Sequence, residues 1–373
     1  MGMMRRTASP LAIGLAIGLA LVPLVAGTVR AVNPCRAACR LAKQTCLGEA
    51  TAGFSTARNA CLDLSTPAER RQCMQAAKVT RAAAKRTCRD AFGTCKLGCG
   101  SGSGTCDASS AGGWLATVNL YRGLAGLASL TERPEWSDGD LKHARYMVET
   151  DTIGHSEDPG SPFYTSEGDT AARNSNVAGT SDLNASEGWA VDSWMSGPFH
   201  AVGILDPELG ETGFGIFHAV GPAIQTAAAL DVIRGRTASQ AGAFPVVFPA
   251  DGRVLPIGSF QGHEVPDPLA ACPGYTPPTG IALLVQFDPA APLPTVSAST
   301  LTRDGVVVEH CRFDGTTYVN PDPAVQSIGR NVLAARGAVV LIPREPLSKG
   351  LSYAASLTAD GATLSWSFTV DCP

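Results

Sequence analysis

Twelve cysteines and six histidines carry most of the chemistry open to this 373-residue chain. Eight of the cysteines form a mirror. Cys35, Cys39, Cys46 and Cys61 follow C-x3-C-x6-C-x14-C; after 11 residues Cys73, Cys88, Cys95 and Cys99 run C-x14-C-x6-C-x3-C, reflected about Pro67. Clustered thiols either hold zinc or pair oxidatively. Structural zinc sites use C-x2-C or Cys/His knuckles, and this segment has no histidine. Disulfides in an oxidising compartment are the better reading. Eight cysteines allow 105 pairings in general, but a mirror fits two antiparallel helices bridged at matching heights. The expected bridges are Cys35–Cys99, Cys39–Cys95, Cys46–Cys88 and Cys61–Cys73. Cys106, Cys272, Cys311 and Cys372 are even in number and left unassigned.

The elements that would hold these staples are readable. Thr66-Pro67-Ala68-Glu69 is a capping box with proline at the first helical position, so a helix restarts at the mirror point. Cys35, Cys39 and Cys46 share one helical stripe. Ahead of the hairpin, Arg5-Arg6, an apolar run over residues 11–25 and Val29-Arg30-Ala31 read as a signal peptide, residues 1–31. Val32-Asn33-Pro34 before Cys35 is no lipobox, and nothing later is long and apolar enough to span a bilayer. A secreted or bacterial cell-envelope protein is expected, with no specific nucleic-acid partner. Charge divides along the chain: residues 32–106 carry +8 and residues 107–373 carry −15. The basic hairpin reads as a scaffold or spacer solvated by its own charges.

Gly98-Cys-Gly-Ser-Gly-Ser-Gly104 reads as a flexible linker. Beyond it, Trp114, Val118 and Tyr121, then Leu141, Ala144 and Val148, recur at helical spacing, and strand-like runs such as Gly213-Phe-Gly-Ile-Phe-His218 follow. A proline-rich stretch ends in Glu264-Val-Pro-Asp-Pro268. After residue 279, short β-branched runs alternate with turns, the pattern of a small sandwich.

In the central region, Asn119-Leu-Tyr-Arg122, His143-Ala-Arg-Tyr-Met147, Gly154-His155-Ser156, Asn174-Ser-Asn176-Val-Ala178 and Trp194-Met-Ser-Gly-Pro-Phe-His200 occur in the order found in CAP domains. The stretch resembles that family, which includes cysteine-rich secretory proteins, antigen 5 and plant pathogenesis-related 1 proteins. The resemblance covers about 150 of the 373 residues. It implies an α-β-α sandwich whose cleft joins two histidines and two glutamates and can bind a divalent metal. The histidine positions fall on His155 and His200, but the glutamate positions fall on Ser175 and Gly197. Metal binding, by Zn2+ or another divalent ion, would then rest on His155 and His200, with Glu167 as helper, or Glu187 or Asp169 from a neighbouring loop. Ser175 and Ser196 lie near the histidines, yet neither sits in G-x-S-x-G, and no carboxylate is visibly placed to orient an imidazole. His143 is expected to be structural and His218 to border the cleft; His263 and His310 have no evident partner. The acidic run over residues 149–158 lacks EF-hand spacing.

The tail, Val340-Leu-Ile-Pro343 through Tyr353 and Trp366-Ser-Phe-Thr369, resembles bacterial Ig-like domains. The expected plan is therefore a multidomain chain: signal peptide 1–31, disulfide-stapled α-helical hairpin 32–99, linker 100–110, CAP-like α-β-α sandwich 111–263, linker 264–278 and a small all-β Ig-like sandwich 279–373. The resemblance implies a non-enzymatic binding module for lipid, cell-envelope polymer or protein ligands. The alternatives are a metal-assisted or serine hydrolase using His155 and His200, and a purely structural surface protein.

Overall fold

The computed structural model describes residues 34–97, 112–237 and 244–372. The expected signal peptide, the 100–110 linker and Cys99 lie outside the described residues, and the side chains of Cys35, Cys39 and Cys95 are not among those described, so the outer bridges Cys35–Cys99 and Cys39–Cys95 lie outside as well. What is described begins with two long helices, α1 (Pro34–Leu62) and α2 (Pro67–Leu97), packed along each other. Cys46–Cys88 and Cys61–Cys73 join them at matching heights, as the mirror requires. The capping box closes reciprocally: Thr66 N donates to Glu69 Oε2 at 3.0 Å and Glu69 N donates to Thr66 Oγ1 at 3.3 Å.

The central region runs α3 (Trp114–Leu124), β1 (Thr131–Glu132), α4 (Pro134–Glu149), α5 (Ser166–Ala172), β2 (Ser175–Thr180), α6 (Glu187–Ser196), α7 (Pro198–Ile204), β3 (Glu211–Thr212), β4 (Phe214–His218) and β5 (Thr226–Asp231). β1 and β3 form a short parallel pair, and β2-β5-β4 is an antiparallel sheet. Alternation along β5 sets the layers, because successive strand side chains point to opposite faces. Ala227 and Ala229 join Met147 and Val148 of α4, while Ala228 and Leu230 join Val118, Tyr121 and Trp194 of α3 and α6. Every residue of β5 is buried, so the sheet is covered on both sides and the region is an α-β-α sandwich. Arg122, itself buried, locks the second helical layer. Its guanidinium donates to the carbonyls of Ala128 (2.8 Å), Ile204 (2.7 Å), Asp206 (2.9 Å) and Leu209 (3.0 Å). Burial lowers its pKa to about 10, opposed by the Asp206 charge, so it stays cationic at neutral pH.

The remaining strands are β6 (Val246–Phe248), β7 (Arg253–Leu255), β8 (Ser259–Phe260), β9 (Thr279–Gly280), β10 (Leu283–Gln286), β11 (Val296–Arg303), β12 (Val306–Val307), β13 (His310–Asp314), β14 (Ala338–Pro343), β15 (Leu351–Ala359) and β16 (Ala362–Val370). They build two main sheets, β13-β14-β10-β6 and β12-β11-β15-β16-β7, with β8 and β9 paired separately. Inward residues of both main sheets, such as Leu283, Leu341, Leu357 and Phe368, share one hydrophobic cluster.

Three expectations need correction. The expected break at residue 263 does not follow the strand pairing: β6 lies against β10 and β7 runs parallel to β16, so the chain before that break supplies an edge strand to each sheet. The tail is not all-β, since α8 (Pro323–Ala334) begins at Asp322, whose Oδ1 accepts from Ala324 N at 2.8 Å. The stretch expected to be a linker is stapled, because Cys272 pairs with Cys311 of β13. The two regions also share a core. Phe199 of α7 meets Tyr318 edge-on at 5.0 Å, and a Cβ on Gly329 of α8 would fall 2.5 Å from the Tyr318 ring and 3.1 Å from the Phe199 ring. Gln286 Nε2 donates to the Val202 carbonyl at 3.1 Å, and Arg336 lies 2.6 Å from Asp206.

Candidate functional site

The loop between α4 and α5 is set by His143. Its ring nitrogens lie 3.0 Å from Glu157 Oε1 and 2.9 Å from the Gly154 carbonyl, and both His143 and Glu157 are buried. His143 is thus structural. The next residue of that loop, His155, donates from Nδ1 to the Ala172 carbonyl at 3.1 Å. One edge of His155 meets solvent, yet desolvation of the rest lowers its pKa, and the charges of His200 and His143 lower it further.

His200 is held by a residue that sequence reasoning missed. Glu264 Oε1 lies 2.7 Å from His200 Nδ1 and accepts the His200 backbone N–H at 2.9 Å. Burial pushes the Glu264 carboxyl above its usual value, against the pull of these bonds from His200. Glu264 Oε2 is buried without a hydrogen-bond partner. A tight turn delivers the residue, with positive φ at Gly262 (91°) and His263 (74°). The carboxylate lies over Gly197, where a Cβ would stand 2.5 Å from its carboxyl carbon and 2.6 Å from either oxygen. Gly197 itself has φ −104°, which any residue adopts, so glycine is required here by space and not by backbone shape.

The other candidates go elsewhere. Ser175 is buried and donates to Asp140 Oδ1 at 2.7 Å; Ser196 donates to the Ser193 carbonyl at 2.8 Å. Neither hydroxyl engages an imidazole in these bonds. Glu167 is exposed, 3.8 Å from Lys142, and its carboxyl is held low by its own backbone N–H and by that lysine. Asp169 accepts from Glu157 N and pairs with Arg173, and Glu187 accepts from Trp114 N at 2.9 Å. His218 bonds Thr226 and His310 bonds Ser299.

A divalent ion held by protein needs three or more ligands with fixed geometry. Among the described residues no group of three or more His, Cys, Asp or Glu side chains could hold a metal ion. With Nδ1 of both His155 and His200 hydrogen-bonded, Nε2 of each ring is the atom left for an ion, but two imidazoles lack a third ligand, since Glu167 is turned to Lys142. The residues present supply too few ligands for the metal that the resemblance implied.

What the site does have is a cavity of about 950 Å3. One wall is β2 and α6, and the other is residues 257–265, which include β8. His200, Glu264, Ser196 and His263 line it; His155 and Ser175 do not. Residues 115–219 match the family model for the cysteine-rich secretory protein family, CAP. The chain contains a CAP domain. A search of curated proteins gave no match. The matched stretch ends well before Glu264, so the second wall of the cleft comes from chain beyond the matched CAP segment. In CAP terms, Glu264 brings a carboxylate to Gly197, one of the two positions where the family glutamates were expected. The sequence clue was Gly197 itself: a glycine where a larger side chain was expected leaves room that another segment must fill.

Proposed function

We propose that this is a secreted or envelope-associated CAP-domain protein whose cleft binds the apolar part of a lipid-like ligand without reacting with it. The observation that carries this reading is the cavity, whose lining includes Val177, Trp189, Ile257 and Phe260. Two further lining residues, Ile153 and Val265, are large apolar side chains left 43% and 76% exposed. Apolar surface left open along a cleft of this size is the usual mark of a ligand site. Ser175 and Ser196 hydrogen-bond away from the histidines, which argues against a serine hydrolase. The two-sheet unit, read as an Ig-like module with α8 added, would act as the cleft's second wall and as a spacer. Its disulfides suit an oxidising exterior. The test is calorimetric titration of the full chain with decyl maltoside below its micelle concentration. Saturable binding is expected in the native chain and its loss in Ser193→Trp, which fills the cleft from an exposed position on α6; equal binding by both chains would refute the reading.

A second reading has one observation in its favour. Glu264 orients His200 as a carboxylate orients a general base, and water would be the nucleophile. Ester hydrolysis that disappears in His200→Ala would support it.

A further inference from the structure

The charges around the cavity are one-sided. Glu187, Asp192 and Glu264 line it, with His200 and His263 as the ionisable bases, and among the described lining residues there is no lysine or arginine. Basic residues are available elsewhere in the CAP domain but are spent on structure, Arg122 on four carbonyls and Arg234 on Asp231.

Two of the carboxylates have structural work. Asp192 Oδ1 accepts from Tyr121 at 2.6 Å, and Glu187 Oε2 accepts from Trp114 N at the start of α3. Glu264 is different. Its side chain is 3% exposed, both hydrogen bonds from His200 fall on Oε1, and Oε2 takes none. Oε2 has almost no surface open to the cavity, so an incoming donor recovers the cost of its missing bond only where the 257–265 wall gives way to admit it. Two positive helix ends lie nearby: that of α6 is offset by Ser186 Oγ, which accepts from Trp189 N at 3.1 Å, and by Glu187 in its first turn, and that of α7 is met by Glu264 itself through the His200 N–H. Trp189 is half-buried on the same wall and presents a ring against which an ammonium group is stabilised. The −15 charge of residues 107–373 attracts cations towards this region and repels anions.

We propose that the cleft selects an amphiphile with a protonated amine as headgroup, the amine donating to Glu264 while the chain lies on the apolar lining. The inference rests on the lipid-binding reading above and adds the sign of the headgroup. An anionic headgroup would meet three carboxylates in a partly desolvated space, with no cationic side chain other than histidine to offset them.

The test compares three ligands of equal chain length on the full chain at pH 7, each below its micelle concentration: decylammonium, decyl maltoside and decanoate. Decylammonium is expected to bind at least tenfold more tightly than decanoate, with the maltoside between them. Glu264→Gln is expected to shrink that ratio to about threefold or less while leaving maltoside affinity nearly unchanged. Should Glu264→Gln not fold, Glu187→Gln, at a half-buried position, is expected to shrink the ratio at least twofold. Equal affinities, tightest binding of decanoate, or a ratio indifferent to these substitutions would overturn the headgroup assignment and leave the cleft reading standing. Failure of all three ligands to bind, or binding that persists in Ser193→Trp, would overturn the cleft reading and the assignment with it.

Discussion

Asp140 ties the stability of the CAP domain to pH. It lies on α4 facing the sheet, wholly buried, with Oδ1 accepting from Ser175 at 2.7 Å and Oδ2 without a partner. Burial pushes its carboxyl from the ordinary 3.8 up to about 7; the Ser175 bond opposes this, the Asp231 charge adds to it, and Arg234 offsets part. The folded value lies above the unfolded one. The stabilising contribution is therefore complete below about pH 4 and is lost as pH rises through 7. The full span is worth about 4 kcal/mol. Between pH 5 and 8 the loss is about 2.5 kcal/mol, since at pH 5 the unfolded carboxyl is already ionised. Asp140→Asn keeps the shape and removes the titration. Urea unfolding followed by tryptophan fluorescence at pH 5 and pH 8 should show the gap between native chain and variant moving by about that amount in the variant's favour at the higher pH. Comparing the two chains cancels every other titrating group. A gap constant to within about 0.5 kcal/mol would show that Asp140 is ionised in the fold throughout, and the argument from its burial would fail.

Gly197→Ala should cost about 2 kcal/mol in thermal unfolding, because the new methyl strikes the Glu264 carboxylate. In a Glu264→Ala background the same change should be close to neutral; an equal cost in both backgrounds would mean that the two residues do not compete for space. In the hairpin, Cys46→Ser with Cys88→Ser opens a bridge of sequence separation 42, and Cys61→Ser with Cys73→Ser one of separation 12. Chain-entropy estimates put the losses at about 4 and about 3 kcal/mol, so circular dichroism should show the first pair lowering the hairpin's melting temperature more.

The hairpin was legible because its constraints are local or exactly spaced: cysteine intervals, a capping box and a proline at the first helical position. The α-β-α layers were legible through several short motifs in order. The departures share a physical cause, which is that they depend on partners distant in sequence. β6 and β7 are three residues each, too short for alternation to mark, and their pairing is decided by the free edges that β10 and β16 offer. The Glu264–His200 contact spans 64 residues and leaves no periodic trace. α8 was the readable omission, since Asp322-Pro323 is a helix-start signal. Glu167, expected to help the histidines as a substitute carboxylate, lies on α5 and faces Lys142 instead.

The interlock of Phe199, Tyr318 and Gly329 bears on how this protein can change over generations. One ring belongs to the CAP domain, and the other ring and the glycine belong to the β unit, and a side chain at the glycine would strike both rings. A lineage could enlarge position 329 only after shrinking one of the rings, and a recombination that imported either half would bring mismatched surfaces together. Covariation among these three positions is the expected signature in related sequences, so the two units should drift as one heritable block and not as exchangeable modules.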